Sequence, residues 1–142
     1  MRKNLFFLLS LFFIAALAVN ALCDVSAEKI LLSGKVMFEH NSSELSDEAV
    51  RVLKEISALL KLYDKNVVAL EGHANSAGEK KYNVKLSHER AKAVADFFVN
   101  EGIKPGRIKA SGYGDTRPRF PNDTEYGMAQ NRRTEILIIT LE

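Results

Sequence analysis

The chain has 142 residues, of which 20 are Lys or Arg and 18 are Asp or Glu. This length suggests a single domain. Charges of both signs are interspersed along the chain, so it lacks the basic stripe that is typical of proteins that bind nucleic acid. We therefore expect no nucleic-acid partner.

The first 21 residues have the pattern of a secretory signal peptide. Arg2 and Lys3 precede an apolar run, LFFLLSLFFIAALAV, and small residues follow it. Cleavage after Ala21 or Ala27 would suit the small-residue rule, and loss of Arg2 and Lys3 would leave 18 basic and 18 acidic side chains. The run is somewhat short for a membrane span, which needs roughly 20 apolar residues. An uncleaved N-terminal anchor is the alternative interpretation.

Cys23 is the only cysteine, so the chain cannot form an internal disulfide. Its position after the apolar run suggests the lipid-modified N-terminal cysteine of a bacterial lipoprotein. Leu22, however, replaces the small residue that usually precedes such a cysteine, so a bystander cysteine is the alternative. We interpret residues 22–29 as a short linker and residues 30–142 as the exported domain.

Strand and helix patterns alternate along that domain. Ser46 is a good N-cap, and Asp47 and Glu48 place negative charge in the first turn of the helix that follows. The patterns predict strands over 30–38, 67–70, 107–113 and 134–141, helices over 47–63 and 87–101, and a helical turn near 128–132. Helical crossovers of this length make the first strands parallel. We therefore predict an α/β fold, a two-layer sandwich in the order β-α-β-α-β-β.

The chain lacks the sequence signatures of the common enzyme classes. The three histidines, His40, His73 and His88, have no metal-binding spacing, and no second cysteine could assist them. There is no complete phosphate loop or dinucleotide motif, and no G-x-S-x-G elbow. We expect a protein that is not an enzyme and uses no cofactor, and we interpret His73 as structural.

One polar stretch, EGHANSAGEKKYNVKLSHERAKAV, follows the second predicted strand. If Ser87 is the N-cap, Arg90 lies in the first helical turn, where a cation opposes the helix dipole. The residues leave two explanations open. Arg90 pairs with Glu71 or Glu89, or it joins the helix N-terminus in holding an anion, with the guanidinium gripping a carboxylate. The loop lies at the carboxyl end of a strand, where open α/β sheets usually place ligands.

Several motifs in this order and spacing resemble the OmpA-like peptidoglycan-binding domain. They are VMFEHNSSELSDEA, GHANSAGEKKYNVKLSHERAKAV, GYGDTRP and NRRTEI, and the EGHA beginning is most similar to the peptidoglycan-associated lipoprotein branch. The resemblance spans about residues 36–141 and implies a mixed four-stranded sheet covered by helices. It also implies a non-enzymatic anchor that attaches the outer membrane or an envelope complex to the cell wall. Such a protein is exported to the periplasm, and its expected partners are the diaminopimelate-containing peptide stem and envelope proteins.

The resemblance also implies a set of site residues. Arg90 takes the place of the family's carboxylate-binding arginine, whereas the family's ammonium-binding aspartate falls on Asn75, which has no charge. Glu39 or Glu79 could supply the missing charge. Arg132 and Arg133 are interpreted as structural, and the remaining pocket candidates, for which a core role is equally open, are Phe38, Ala74, Tyr82 and Leu86. Because of Asn75, the alternative function is a protein-interaction module that has lost peptidoglycan binding.

Overall fold

The computed structural model of the protein describes residues 25–33, residue 38 and residues 42–141. The predicted signal peptide, Cys23 and Glu39 lie outside these residues. The elements in chain order are β1 (Val25–Ser33), α1 (Asp47–Leu62), β2 (Val67–His73), α2 (Lys80–Asn100), a 3-10 turn (Pro105–Arg107), β3 (Ile108–Gly112), α3 (Glu125–Asn131) and β4 (Arg133–Leu141). Within the described part of the chain, no helix has the length and apolar character needed to cross a membrane.

The sheet is mixed. Strand β2 pairs in parallel with β3 and antiparallel with β4, and β1 pairs antiparallel with the other edge of β4, which gives the order β1-β4-β2-β3. Strands β1, β2 and β3 therefore run in the same direction, as the crossover helices predicted, and β4 runs against them. The predicted mixed α/β class is confirmed.

The helices cover one face of this sheet. Alternate strand residues point to the same face, so Val68 and Leu70 of β2 lie beside Ile138 and Ile136 of β4. Helical residues at three- and four-residue spacing complete the core. The largest fully buried helical residues are Leu53, Leu60, Val94 and Phe98, and Ile103 joins them from the segment after α2.

Helix α1 begins as its sequence predicted. The hydroxyl of Ser46 accepts a hydrogen bond from the backbone N–H of Ala49 at 3.1 Å, and Asp47 and Glu48 occupy the first turn. The helix ends at Leu62, directly before the predicted break at residues 64–66.

The prediction that α2 begins after Ser87 was wrong. The helix begins at Lys80 with Glu79 as its N-cap, so Ser87 lies in its interior. The hydroxyl of Ser87 donates to the carbonyl of Val84 at 2.8 Å and accepts from the N–H of Gly114 at 2.9 Å. The first two turns were missed because their buried positions carry polar side chains, which produce no apolar period.

Three other boundaries differ from the prediction. Strand β1 lies at Val25–Ser33 instead of 30–38, because it pairs with β4 over nine residue pairs, from Val25 with Leu141 to Ser33 with Arg133. Strand β2 continues through His73. The predicted turn near 128–132 is the helix α3, which Thr124 caps by accepting from the N–H of Gly127 at 3.0 Å.

Candidate functional site

The loop that follows β2 is built around Asn75. The backbone N–H of Ala74 donates to the carbonyl of Gly114 at 2.8 Å, which ties the loop to the end of β3. The side-chain oxygen of Asn75 accepts from the N–H of Ala77 at 3.3 Å, forming an Asx turn. Gly78 closes the loop with a φ of 88°, a conformation that favours glycine. The side chain of Asn75 is buried at the base of this loop.

Asn83 holds the loop against the first turn of α2. Its side-chain amide donates to the carbonyls of Asn75 at 3.2 Å and Ala77 at 2.8 Å. Asn83 was not among the predicted site residues, although its spacing in the sequence indicates a buried position. Asn83, Ser87 and Arg90 have the i, i+4, i+7 spacing of one helix face. They extend the buried stripe of Ala91, Val94 and Phe98 toward the helix N-terminus.

Arg90 is buried on that stripe, with only 9% of the residue exposed. Its Nε donates to the carbonyl of Ser42 at 3.0 Å, and its guanidinium carbon lies 5.2 Å from the centre of the Phe38 ring. These two contacts join α2 to the segment before α1. They fix the orientation of the guanidinium group.

No carboxylate in the described part of the chain forms a salt bridge with Arg90. Of the two predicted partners, Glu89 pairs with Lys85 at 3.8 Å, and Glu71 pairs with Arg117 at 3.8 Å. The predicted placement beside the helix N-terminus was also wrong. Arg90 lies ten residues after Lys80, which is about 15 Å along the helix axis. At this distance, the guanidinium and the N-terminus of the helix cannot bind the same anion.

Burial lowers the pKa of Arg90, the nearby Tyr82 opposes this shift, and Arg132 adds to it. An arginine nonetheless stays protonated in proteins. Arg90 is therefore a buried cation with a second cation in its neighbourhood, an arrangement that costs free energy unless an anion compensates it. The electrostatics of this site favour a carboxylate ligand.

The other predicted site residues that the structure describes lie on α2, before α1 and at the end of β2. Tyr82, Leu86 and Arg90 are spaced by four residues and so form one stripe along α2. Tyr82 is half exposed and Leu86 is partly exposed, as expected for the rim of a site. Phe38 is buried beneath Arg90, and Ala74 and Asn75 are buried at the end of β2.

Comparison with known proteins identifies the family of this chain. The OmpA family model matches residues 37–132. The chain belongs to the OmpA family. It is 39% identical over 99 residues to the peptidoglycan-associated lipoprotein of Pseudomonas putida, which covers 70% of this chain and 59% of that protein. The match to outer membrane porin F of Pseudomonas aeruginosa is 39% identical over 114 residues, with 80% of this chain and 33% of that protein covered.

A solved structure from Pseudomonas aeruginosa, the cell wall anchor of the T6SS, superposes on this OmpA-family domain with a TM-score of 0.72. The two chains are 31% identical, and the match covers 82% of this chain and 87% of the other. The domain lies close to the peptidoglycan-associated lipoprotein branch of the family. It spans less than two thirds of the curated relatives that it matches, for example 59% of the P. putida protein.

On the sheet face opposite the helices, the OmpA-family domain carries a buried ionic cluster. Strand pairing places Glu71 beside Glu135 and His73 beside Arg133. Arg133 Nε donates to Glu135 Oε1 at 2.7 Å, and His73 Nε2 lies 3.8 Å from the same oxygen. The structural interpretations of His73 and Arg133 fit this arrangement. Sequence reasoning missed the cluster because β2 and β4 are separated by about sixty positions of chain.

Glu71, His73 and Glu135 each offer one ligand atom, all within 4.8 Å of one another, a spacing that a metal ion could use. The surrounding arginines make the binding of a metal ion unfavourable. The Glu135 oxygen already accepts from Arg133, and Arg119 and Arg117 lie 4.0 Å from Glu135 and 3.8 Å from Glu71. The donor set therefore fits an ion-pair cluster better than a metal centre.

A surface cleft of about 430 Å³ lies on the other flank of α2 from Arg90. Lys80, Lys81, Lys85 and Val84 form one wall, and Asp115 and Thr116 form the other. Its three lysines are exposed, and Asp115 is partly exposed. By contrast, Asn75, Asn83 and Arg90 are all buried polar residues, and Asn83 bonds directly to the Asn75 loop.

Proposed function

We propose that this domain is a non-enzymatic peptidoglycan-binding module, and that Arg90 binds the free carboxylate of diaminopimelate in the peptide stem. The observation that carries the proposal is a buried guanidinium that forms no salt bridge with the described residues. A relative named for its association with peptidoglycan and a similar structure described as a cell wall anchor support the same class of ligand.

The contacts of Arg90 suit this role. The Nε–H is already bound to Ser42, and Phe38 lies against the guanidinium, so the group is oriented before ligand arrives. Arginine can donate two parallel hydrogen bonds to one carboxylate, and such charge-assisted bonds are roughly twice as strong as neutral ones. Preorientation reduces the entropy that is lost on binding.

Asn75 occupies the position at which the family aspartate binds the ammonium group. Its amide oxygen forms the same kind of turn that a carboxylate would form, because it accepts from the N–H of Ala77. Asparagine therefore preserves the shape of the loop but brings no negative charge. An ammonium donates to an amide oxygen through a hydrogen bond with one charged partner, whereas it forms an ion pair with a carboxylate. The chain would then bind its stem peptide more weakly than an aspartate variant.

Asn75 also favours a second candidate function. In that alternative, the domain has lost peptidoglycan binding and serves as a protein-interaction module of an envelope complex. The two candidates differ in whether the wild-type pocket still binds the wall, and they share the same fold and the same Arg90.

Location follows from the same proposal. The chain would be exported to the periplasm and associate with the outer membrane, either through acylated Cys23 or through a partner protein. Mass spectrometry of the mature N-terminus distinguishes these cases. A diacylglycerol adduct on Cys23 supports the lipoprotein, whereas a free N-terminus at Leu22 or Glu28 supports the secreted form.

Sedimentation with diaminopimelate-containing sacculi tests the proposal. We expect wild type to pellet and Arg90→Ala to remain in solution. Arg51→Ala is the matched control, since Arg51 is exposed and pairs with Glu48 on α1. The proposal fails if Arg90→Ala pellets as well as wild type does.

Asn75→Asp separates the two candidate functions in the same assay. If the domain is a working anchor, this variant binds about tenfold more tightly than a wild type that itself pellets, because the ammonium contact becomes an ion pair. If wild type stays in solution and only Asn75→Asp pellets, the protein-interaction module is the better account.

A further inference from the structure

An exposed pair of aromatic rings lies at the same end of the molecule as the proposed site. Phe120 is 39% exposed and Tyr126 is 66% exposed. Their ring centres are 5.9 Å apart with an interplanar angle of 83°, so the rings meet edge to face. Because they do not stack flat on each other, ring surface stays open to solvent.

The backbone beneath these rings is held firmly. Asn131 is fully buried, and its side-chain oxygen accepts from the N–H groups of Arg119 at 2.8 Å and Phe120 at 3.0 Å. Its amide nitrogen donates to the carbonyl of Phe120 at 2.7 Å. Tyr126 lies in the first turn of α3, next to the N-cap Thr124. The aromatic pair is thus exposed and also preorganised.

The pair is connected to the loop that carries Asn75. The side-chain oxygen of Asn122 accepts from the backbone N–H of Ser76 at 3.3 Å and from the amide of Asn131 at 2.9 Å. Ser76 directly follows Asn75. The Asn75 loop and the segment that carries the Phe120–Tyr126 pair are therefore neighbours on the surface, within reach of one extended ligand.

We propose that the Phe120–Tyr126 pair binds the sugar rings of the glycan strand to which the stem peptide is attached, an inference that rests on the proposed function. A hexose presents a flat face of C–H groups bordered by polar substituents, and an aromatic ring is an apolar surface of similar size. The neighbouring residues Pro121, Asp123, Thr124 and Glu125 are exposed and mostly polar. They supply donors and acceptors at the edge of such a sugar.

A protein partner fits this surface less well. A specific protein interface buries roughly 800 Å² on each side around an apolar centre. Two rings surrounded by polar side chains offer far less apolar surface than this. Their dimensions match one or two sugar units, which is also the part of peptidoglycan nearest to a bound stem.

Calorimetry with two matched ligands tests the proposal. One ligand is a diaminopimelate-containing stem peptide, and the other is the same peptide attached to its N-acetylated disaccharide. We expect wild type to bind the disaccharide-peptide about fivefold more tightly, which is about 1 kcal/mol at 1.4 kcal/mol per tenfold. The double variant Phe120→Ala/Tyr126→Ala should bind both ligands equally, at the wild-type affinity for the peptide alone.

Two controls separate this inference from the proposed function. Tyr63→Ala removes another exposed tyrosine, which directly follows α1, and should keep the fivefold difference. Arg90→Ala should weaken the binding of both ligands and leave the ratio of their affinities unchanged. The inference is overturned if the aromatic double variant keeps the sugar-dependent increment, or if wild type does not distinguish the ligands.

If neither ligand binds wild type, the proposed function fails, and a titration with an N-acetylglucosamine tetramer followed by NMR decides the inference alone. Chemical-shift changes at Phe120 and Tyr126 that disappear in the double variant would support sugar binding. No change at these residues would overturn it.

Discussion

Arg90 and Arg133 are both buried arginines, but their surroundings differ. Arg133 is 6% exposed, and its Nε donates to Glu135. Arg90 is 9% exposed and makes one hydrogen bond to a carbonyl and one contact with an aromatic ring. A buried charge without an ion pair is unfavourable for stability. We infer that Arg133 stabilises the fold and that Arg90 binds a ligand.

This difference predicts that the same substitution at the two positions changes the stability of the domain by very different amounts. Arg90→Met removes a buried charge that forms no salt bridge with the described residues, and this gain offsets the lost bond to the Ser42 carbonyl. Because the unbranched side chain has a similar length, we expect the free energy of unfolding to change by less than about 1 kcal/mol. Arg133→Met leaves the Glu135 carboxylate buried without its closest cation, and we expect a loss of about 3 kcal/mol or more. Urea denaturation measures both values. A loss of several kcal/mol in Arg90→Met would identify Arg90 as a structural residue.

At the level of elements, the contact between α2 and the sheet depends on residues without side chains. A Cβ built on Gly72 of β2 would lie 1.9 Å from the backbone carbonyl oxygen of Ser87. A Cβ on Gly112 of β3 would lie 2.3 Å from the backbone nitrogen of His88. These are backbone atoms, which cannot move aside by changing a rotamer. The two glycines let α2 approach the strands closely enough for Asn83 to bond to the loop.

We therefore expect Gly72→Ala to destabilise the domain by about 3 kcal/mol through overpacking. Gly106→Ala is the matched control, because no atom lies within 4 Å of a Cβ at that position. It should change the free energy of unfolding by less than about 0.5 kcal/mol. Chemical denaturation of both variants tests the packing, and equal stabilities would show that α2 does not depend on the close approach.

The start of α2 shows where prediction from sequence reached its limit. The apolar stripe of Ala91, Val94 and Phe98 predicted the second half of the helix correctly. The first half buries Asn83, Ser87 and Arg90 instead, and these residues bond to the loop, to Gly114 and to Ser42. Their role depends on tertiary partners, so no apolar period indicates it. Polar residues at the spacing of a core stripe are the signal that would have extended the helix.

At the level of the whole molecule, the order of elements and the α/β class followed from local patterns, whereas the site depends on distant contacts. Arg90 meets Ser42, which is 48 residues earlier in the chain. Glu135 and Arg133 meet His73 and Glu71 only through the pairing of β4 with β2. The sheet thus separates two polar centres, with the ionic cluster on one face and Arg90 on the side of the helices. Family resemblance predicted Arg90, but only the structure shows that no carboxylate among the described residues pairs with it.

The most direct test of the central claim measures the coupling between Arg90 and one carboxylate of the ligand. Calorimetry would compare a stem peptide bearing a single free diaminopimelate carboxylate with the same peptide amidated at that carboxylate, for wild type and Arg90→Ala. We predict that amidation weakens wild-type binding at least about tenfold, since a charge-assisted pair is lost. In Arg90→Ala, amidation should change the affinity less than about twofold. An equal loss in both proteins would contradict the assignment of Arg90 as the carboxylate-binding residue.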